Sequence, residues 1–209
     1  LKNDPIMKKW LPILIILGLI LILGGYLASL NNKLVELDQK ATAQWANVES
    51  SYQRRADLIP NIVKTAKGYA EFEQETLIAV TEARSKATSI TIDPANITPE
   101  QLAKYQEAQA GVTSALARLL AVFERYPDLK ANENFKELIN ELERTENRIN
   151  VERNRFNEEA RKFNTEIKKI PAKIFAGMLG FHEKAYFKAD EGSDKAPEVD
   201  FDDLGKDKE

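Results

Sequence analysis

Residues 10–30 read WLPILIILGLILILGGYLASL, and the fold turns on this stretch. It carries no charged side chain. At 1.5 Å per residue a helix of about 21 residues covers roughly 31 Å, close to the hydrocarbon thickness of a bilayer. A transmembrane helix is therefore predicted, with Trp10, Leu11, Ile15, Leu19, Leu23, Leu27 and Leu30 as membrane-spanning residues. A cleaved signal peptide is the alternative, with Met7, Lys8 and Lys9 as its charged start and Ala28-Ser29 as a small-residue exit. Against it, the apolar run exceeds the roughly 7–15 residues of a signal core. Met7 also reads as a natural start, which makes residues 1–6 an upstream extension. Lys2, Lys8 and Lys9 precede the span and Lys33 and Lys40 follow it, a bias that favours a cytoplasmic N-terminus.

Working outward, residues 1–9 form a short N-terminal tail, 31–170 one elongated helical domain, 171–188 an apolar amphipathic segment and 189–209 an acidic tail expected to be disordered. Charged residues make up 30% of the chain, and its net charge is −3. Residues 190–209 hold nine acidic and three basic side chains, a net of −6, so the remainder is near +3. Neither part is basic enough for a nucleic-acid partner.

Past the anchor, Leu34, Leu37, Ala41, Trp45, Val48, Tyr52, Arg55 or Ala56, Ile59, Val63 and Ala66 recur in steps of three and four, and Leu77, Val80 and Ala87 keep the same phase. This spacing puts them on one stripe of a helix. One long helix over 31–88, kinked at Pro60, is predicted, with a hairpin at Gly68 as the alternative. Residues 89–98 read as a loop around Asp93-Pro94. Thr98, Pro99 and Gln101 make a capping box with a proline start for a helix that carries the stripe Leu102, Tyr105, Gln109, Val112, Leu116, Leu119 and Phe123 and ends by Pro127. A last long helix begins between Asp128 and Asn134 and ends by Pro171, its stripe interrupted by Thr145 and Glu152. The fold class is all-α: a transmembrane helix continuing into an antiparallel bundle of three to four long helices. If the first helix is continuous, residues 174–187 lie far from the bilayer; with a hairpin at Gly68 they return to the headgroups. Ile174, Phe175, Met178, Leu179, Phe181, Tyr186 and Phe187 thus form either a distal contact surface or an interfacial foot.

The densest local chemistry is Arg54-Arg55-Ala56-Asp57-Leu58-Ile59-Pro60-Asn61. A proline-freed carbonyl beside an arginine pair suits an anion or a partner. The structural alternative is preferred: Arg55 pairs with Glu146 or Glu152, and Asp57 answers Arg153, as alignment-setting pairs between helices. Asn157 and Asn164, one heptad apart, either line a polar groove or, as preferred, cross-link neighbouring helices. The chain has no cysteine, which excludes thiolate nucleophiles and zinc–thiolate sites. The single histidine, His182, lies beyond Pro171, so a Glu-x-x-His di-metal bundle and a Ser-His-Asp triad both lack their imidazole. No catalytic, cofactor or metal residues are assigned. In the tail, Val199, Phe201 and Leu204 set among aspartates are either a partner-docking motif or a solubilising segment, the latter preferred.

Trp45, the run Tyr52–Val63 (YQRRADLIPNIV), Gly68-Tyr69, Ala83-Arg84-Ser85, the run Tyr126–Glu133 (YPDLKANE), Thr145–Ile149 (TENRI) and Phe156-Asn157 together resemble the LemA family of bacterial membrane proteins. The resemblance covers about residues 30–190 and leaves out the acidic tail. Phe156 and Phe163 stand where that family often has tyrosine, which bears on a hydroxyl contact and nothing larger. The resemblance implies a four-helix bundle on one anchor in the bacterial inner membrane and no known enzymatic activity. It also implies a link to membrane organisation, since a LemA-like protein serves in magnetosome membrane formation. Four helices conflict with a continuous first helix unless the segment after Pro171 supplies the fourth. The function expected is a non-enzymatic scaffold that self-associates through its long stripes and residues 174–187. An adaptor presenting a partner through the acidic tail is the alternative.

Overall fold

The structure, a computed structural model, describes residues 5–68 and 73–188. The anchor and the first bundle helix are one element, α1 (Pro5–Lys67), whose 63 residues span about 95 Å. Side chains of its apolar stretch, such as Leu14, Ile16 and Ile22, are bare on all sides, as a lone helix in lipid requires. From Leu30 onward the stripe closes on the rest of the protein: Leu34, Ala41, Trp45, Val48, Ile59 and Ile62 are buried.

α1 ends at Lys67 and does not run on to residue 88. The chain reverses between Lys67 and Gln74, and α2 (Gln74–Thr88) lies back against α1. The preferred continuous helix is thereby corrected. A stripe that keeps its phase fits a reversal as well as a continuation, because Leu77 and Val80 face the same core as Ile62 and Ala66 in either case.

The loop 89–98 leads to α3 (Pro99–Phe123). Its capping box is formed: the Gln101 amide donates to Thr98 Oγ1 at 3.3 Å and the Thr98 amide to Gln101 Oε1 at 3.2 Å. A single-turn helix at Pro127, α4 (Pro127–Ala131), precedes α5 (Glu133–Lys168), which Asn132 caps by accepting from the Phe135 amide at 2.9 Å. Among the described residues no strand is present.

α5 pairs with α1 along its length and runs back toward the anchor. Phe135 and Leu142 pack with Ile59–Ala66 at the far end, whereas Phe163 and Ile167 reach Leu30 and Leu34. The far half is therefore a four-helix bundle of α1, α2, α3 and α5, as the family resemblance implied. The near half is built on α1 and α5, completed by the first turns of α3, the loop 89–98 and the C-terminal segment.

That segment takes three forms. α6 (Ala172–Phe175) is one turn. A Schellman-type reversal follows, in which the Phe181 amide donates to the Ala176 carbonyl at 2.9 Å and the Gly180 amide to the Gly177 carbonyl at 3.2 Å. Gly180 sits at φ +81°, where a side chain is strained. Residues 181–188 then climb back, extended, along the groove between α1 and α5. The acidic tail and its expected disorder lie outside the described residues.

Candidate functional site

Three constellations hold the singled-out residues. The first is a buried arginine. Arg55, 2% exposed, leaves α1 and reaches both α3 and α5: Nη1 donates to Glu146 Oε1 at 2.8 Å and Thr113 Oγ1 at 2.9 Å, and Nη2 to Gln109 Oε1 at 2.5 Å. Its guanidinium also lies over the Tyr52 ring at 5.1 Å. The planar fork of arginine suits this task, offering donors in several directions from one stem. Glu146 is the acid in contact. Glu152 instead accepts from Gln44 at 2.6 Å and Arg155 at 3.1 Å, one end of a second α1–α5 cross-link.

Arg54 pairs with Glu141 on the exposed side at 2.5 Å. The expected Asp57–Arg153 pair is not formed. Asp57 is exposed and accepts from Gln53 one turn away at 2.8 Å, while Arg153 donates to the Lys188 carbonyl at 2.9 Å and covers the Phe187 ring. The reason is the antiparallel register, which sets Arg54 and Arg55 beside Glu141 and Glu146 and carries Arg153 farther toward the membrane.

Pro60 sits inside α1 without an amide hydrogen, so the carbonyl of Ala56 lacks its helical donor. Arg84 of α2 supplies one: its Nε donates to the Ala56 oxygen at 2.6 Å. The proline-freed carbonyl is thus the seat of the α1–α2 hairpin and not an open site for an anion. Arg84→Ala is expected to cost about 1–3 kcal/mol in urea unfolding, because it strands a buried acceptor. The loss should shrink in a Pro60→Ala background, where the helix provides its own donor; equal losses in both backgrounds would refute the pairing. A small cleft of about 130 Å³ opens beside this node, lined by Tyr52, Arg55, Arg84, Tyr105 and Gln109 among others. Burial pushes the Tyr105 phenol well above its ordinary value, so it stays protonated.

The second constellation corrects the preferred role of the asparagines, which do not cross-link helices. Asn164 donates from Nδ2 to the Lys184 carbonyl at 2.8 Å and accepts the Lys184 amide at 2.9 Å. Asn157 does the same for Phe187, at 2.9 and 2.8 Å. A heptad on a helix is about 10.5 Å, and three residues of extended chain span nearly the same length, so two amides on one helix face match every third residue of the segment. They do line a groove, and its occupant is the protein's own chain.

Lys184 is buried, with its ammonium on Asp38 Oδ1 at 2.8 Å, on the Pro94 carbonyl at 3.0 Å and over the Phe163 ring. Phe187 stacks on Trp45 at 5.6 Å, and Trp45 further meets Tyr105 and Phe156. Phe187 is buried and Phe181 half-buried, so neither belongs to an outer contact surface. Lys184, Asp38, Arg84 and Gln109 were missed as site residues. Two of these carried a signal: Gln109, as a polar residue on an apolar stripe, and Arg84, within the Ala83-Arg84-Ser85 run of the family resemblance.

The third constellation is the near end of the bundle. Ala172 and Ala176 pack against Leu30 and Leu34 while Ile170, Ile174, Met178 and Leu179 are exposed. Residues 174–181 therefore lie at the membrane side, the outcome tied to a hairpin at Gly68. Lys33 of α1 reaches Glu166 of α5 at 2.7 Å, and Lys169 reaches it at 3.0 Å. Hydrogen bonds from Lys33 first and then Lys169 hold the Glu166 carboxyl below its ordinary 4.5. A carboxyl depressed in the folded state stabilises fully above about pH 4.5 and loses that contribution as pH falls through its lower folded value. Glu166→Gln should therefore flatten the acid limb of the stability profile below about pH 5, measured by urea unfolding at a series of pH values.

These features define a membrane-associated helical-bundle protein in which one helix serves as both anchor and bundle spine. The chain belongs to the LemA family, whose model matches residues 44–201. It is 29% identical to Protein LemA of Metamycoplasma hominis over 102 residues, covering 49% of this chain and 43% of that protein. It is 26% identical to Magnetosome protein MamQ 2 of Paramagnetospirillum magneticum over 174 residues and 27% identical to Magnetosome protein MamQ of Magnetospirillum gryphiswaldense over 173 residues. In both of these the match covers 75% of this chain and 64% of the relative. The chain thus spans less than two thirds of the length of these relatives.

Proposed function

We propose that this protein is a non-enzymatic, single-pass scaffold that self-associates and organises membrane or a membrane complex. The observation that carries it is α1: helical from Pro5 to Lys67 and zipped to α5, it couples the bundle rigidly to the membrane segment. Spacing or tilt imposed on the bundles is then transmitted to the bilayer. Resemblance to the magnetosome proteins supports the same direction. The bundle stripes face inward and are used up within one copy, so self-association falls to the membrane helix, whose apolar side chains are bare from Trp10 to Leu23. The lysine bias around the span supports a cytoplasmic N-terminus in a bacterial inner membrane, and protease accessibility of residues 190–209 in spheroplasts checks it. Light scattering on the full chain in detergent tests self-association; monomers at every concentration would overturn it.

An adaptor role has one observation in its favour. The carbonyl of Lys188, to which the tail is joined, is held on the side of the bundle by Arg153 and Gln106, at 2.9 and 3.3 Å. Deleting residues 190–209 separates the readings: self-association survives for a scaffold, and partner capture is lost for an adaptor.

A further inference from the structure

We propose that the turn over residues 170–180 is a second membrane contact, an interfacial foot lying on the headgroup layer beside α1. Its place in the fold is the first argument. Leu30 is the last residue of the apolar stretch, and it shares one core cluster with Ala172 and Ala176. α5 runs toward the bilayer and delivers the turn at that level, and Gly180 reverses the chain before it goes further.

The side chains divide accordingly. The two alanines face the bundle, whereas Ile170, Ile174 and Met178 face outward at 82%, 63% and 84% exposure. Such a cluster is unfavourable in water and favourable at the boundary of headgroups and acyl chains. Around it lie Lys33, Lys168, Lys169 and Lys173 against Glu166 and Glu183. The surplus is positive, and Lys173 makes no ion pair among the described residues. Apolar side chains rimmed by lysines are the pattern of a segment resting on anionic lipid. A second copy of the same foot is the poorer occupant, because pairing two would bring like charges together.

The contact is off the axis of α1, so it also sets the rotation of the transmembrane helix. It requires α1 to span the bilayer but not self-association, and it holds for a single copy.

The chain has no cysteine, so one introduced thiol carries one probe. The full chain with Ile174→Cys or Met178→Cys, labelled with an environment-sensitive fluorophore, is reconstituted into phosphatidylcholine vesicles with and without phosphatidylglycerol. Ile78→Cys serves as control: its neighbour Leu77 packs at the level of Ile62–Ala66, roughly 50 Å along α1 from Leu30. Both foot positions are exposed, so labelling leaves the fold intact, as circular dichroism verifies. Quenchers placed in the upper acyl chain should quench the foot probes about threefold or more above the control, given an insertion depth of roughly 5–10 Å. The difference should grow with phosphatidylglycerol. Quenching equal to the control overturns the proposal, and so does a probe shielded from water but not reached by lipid quenchers, which assigns the face to a second copy.

Discussion

Glu146→Ala is expected to destabilise the bundle by about 3–5 kcal/mol, the range for breaking a buried ion pair from one side. The partner left behind is the reason. Arg55 is 2% exposed, so without Glu146 its guanidinium keeps only the neutral acceptors Gln109 and Thr113. The reverse change, Arg55→Met, should cost less. It replaces the charge with apolar volume, and the side chain of Glu146, 31% exposed, regains water. The order of the two losses is the test, read by urea unfolding of the full chain in detergent followed by far-ultraviolet circular dichroism. An Arg55→Met loss equal to or larger than that of Glu146→Ala would show that packing, and not the stranded charge, dominates. Arg55 touches α1, α3 and α5 together, so either variant should loosen the far half of the bundle as a unit.

Trp45→Ala should cost a similar amount, about 3–5 kcal/mol, by opening a cavity at a fully buried position. Trp45 is 0% exposed and its ring meets Tyr105, Phe156 and Phe187 at 5.3–5.6 Å. Trp45→Phe should be much milder, since it keeps an aromatic ring and deletes an indole N–H that is buried with no acceptor in reach. The loss in the alanine variant also has a place. Phe187 stacks on Trp45, so residues 181–188 should detach first and leave the two asparagine contacts open to water. The chain has two tryptophans, and in a Trp10→Phe background Trp45 emission reports this segment alone. Amide exchange at Lys184 and Phe187 should then rise in Trp45→Ala well before exchange in α5.

Much of the polar network was visible in the sequence as types of residue in unusual places. Arg55, Thr145 and Glu152 interrupt apolar stripes, and a buried charge or hydroxyl on a stripe must find a partner. Which partner was not visible. Glu146 and Glu152 were equivalent candidates for Arg55 until the antiparallel register of α1 and α5 chose between them. Asp57 and Arg153 looked complementary but are separated by that same register. The acceptor freed by Pro60 was legible, whereas its donor, Arg84, lies across a reversal of the chain. Lys184 sits in a stretch with no periodicity, and its burial depends on Asp38, Pro94 and Phe163, which come from three distant parts of the chain.

The sequence by itself determined what local chemistry controls: an apolar span of bilayer length, amphipathic helices on either side of the loop 89–98, the Thr98 capping box and the inward faces of α1, α3 and α5. Each of these depends on residues within a turn or two of one another. Only the tertiary structure decided that the chain doubles back after Lys67, that α5 descends to the membrane, and that residues 181–188 fill the groove opened by Asn157 and Asn164. Helical phase states which side of a helix is apolar and carries no information on the direction in which the next helix runs. That direction is chosen by whole faces packing across the chain, and it is what brings Ile174 and Met178 down to Leu30 at the edge of the bilayer.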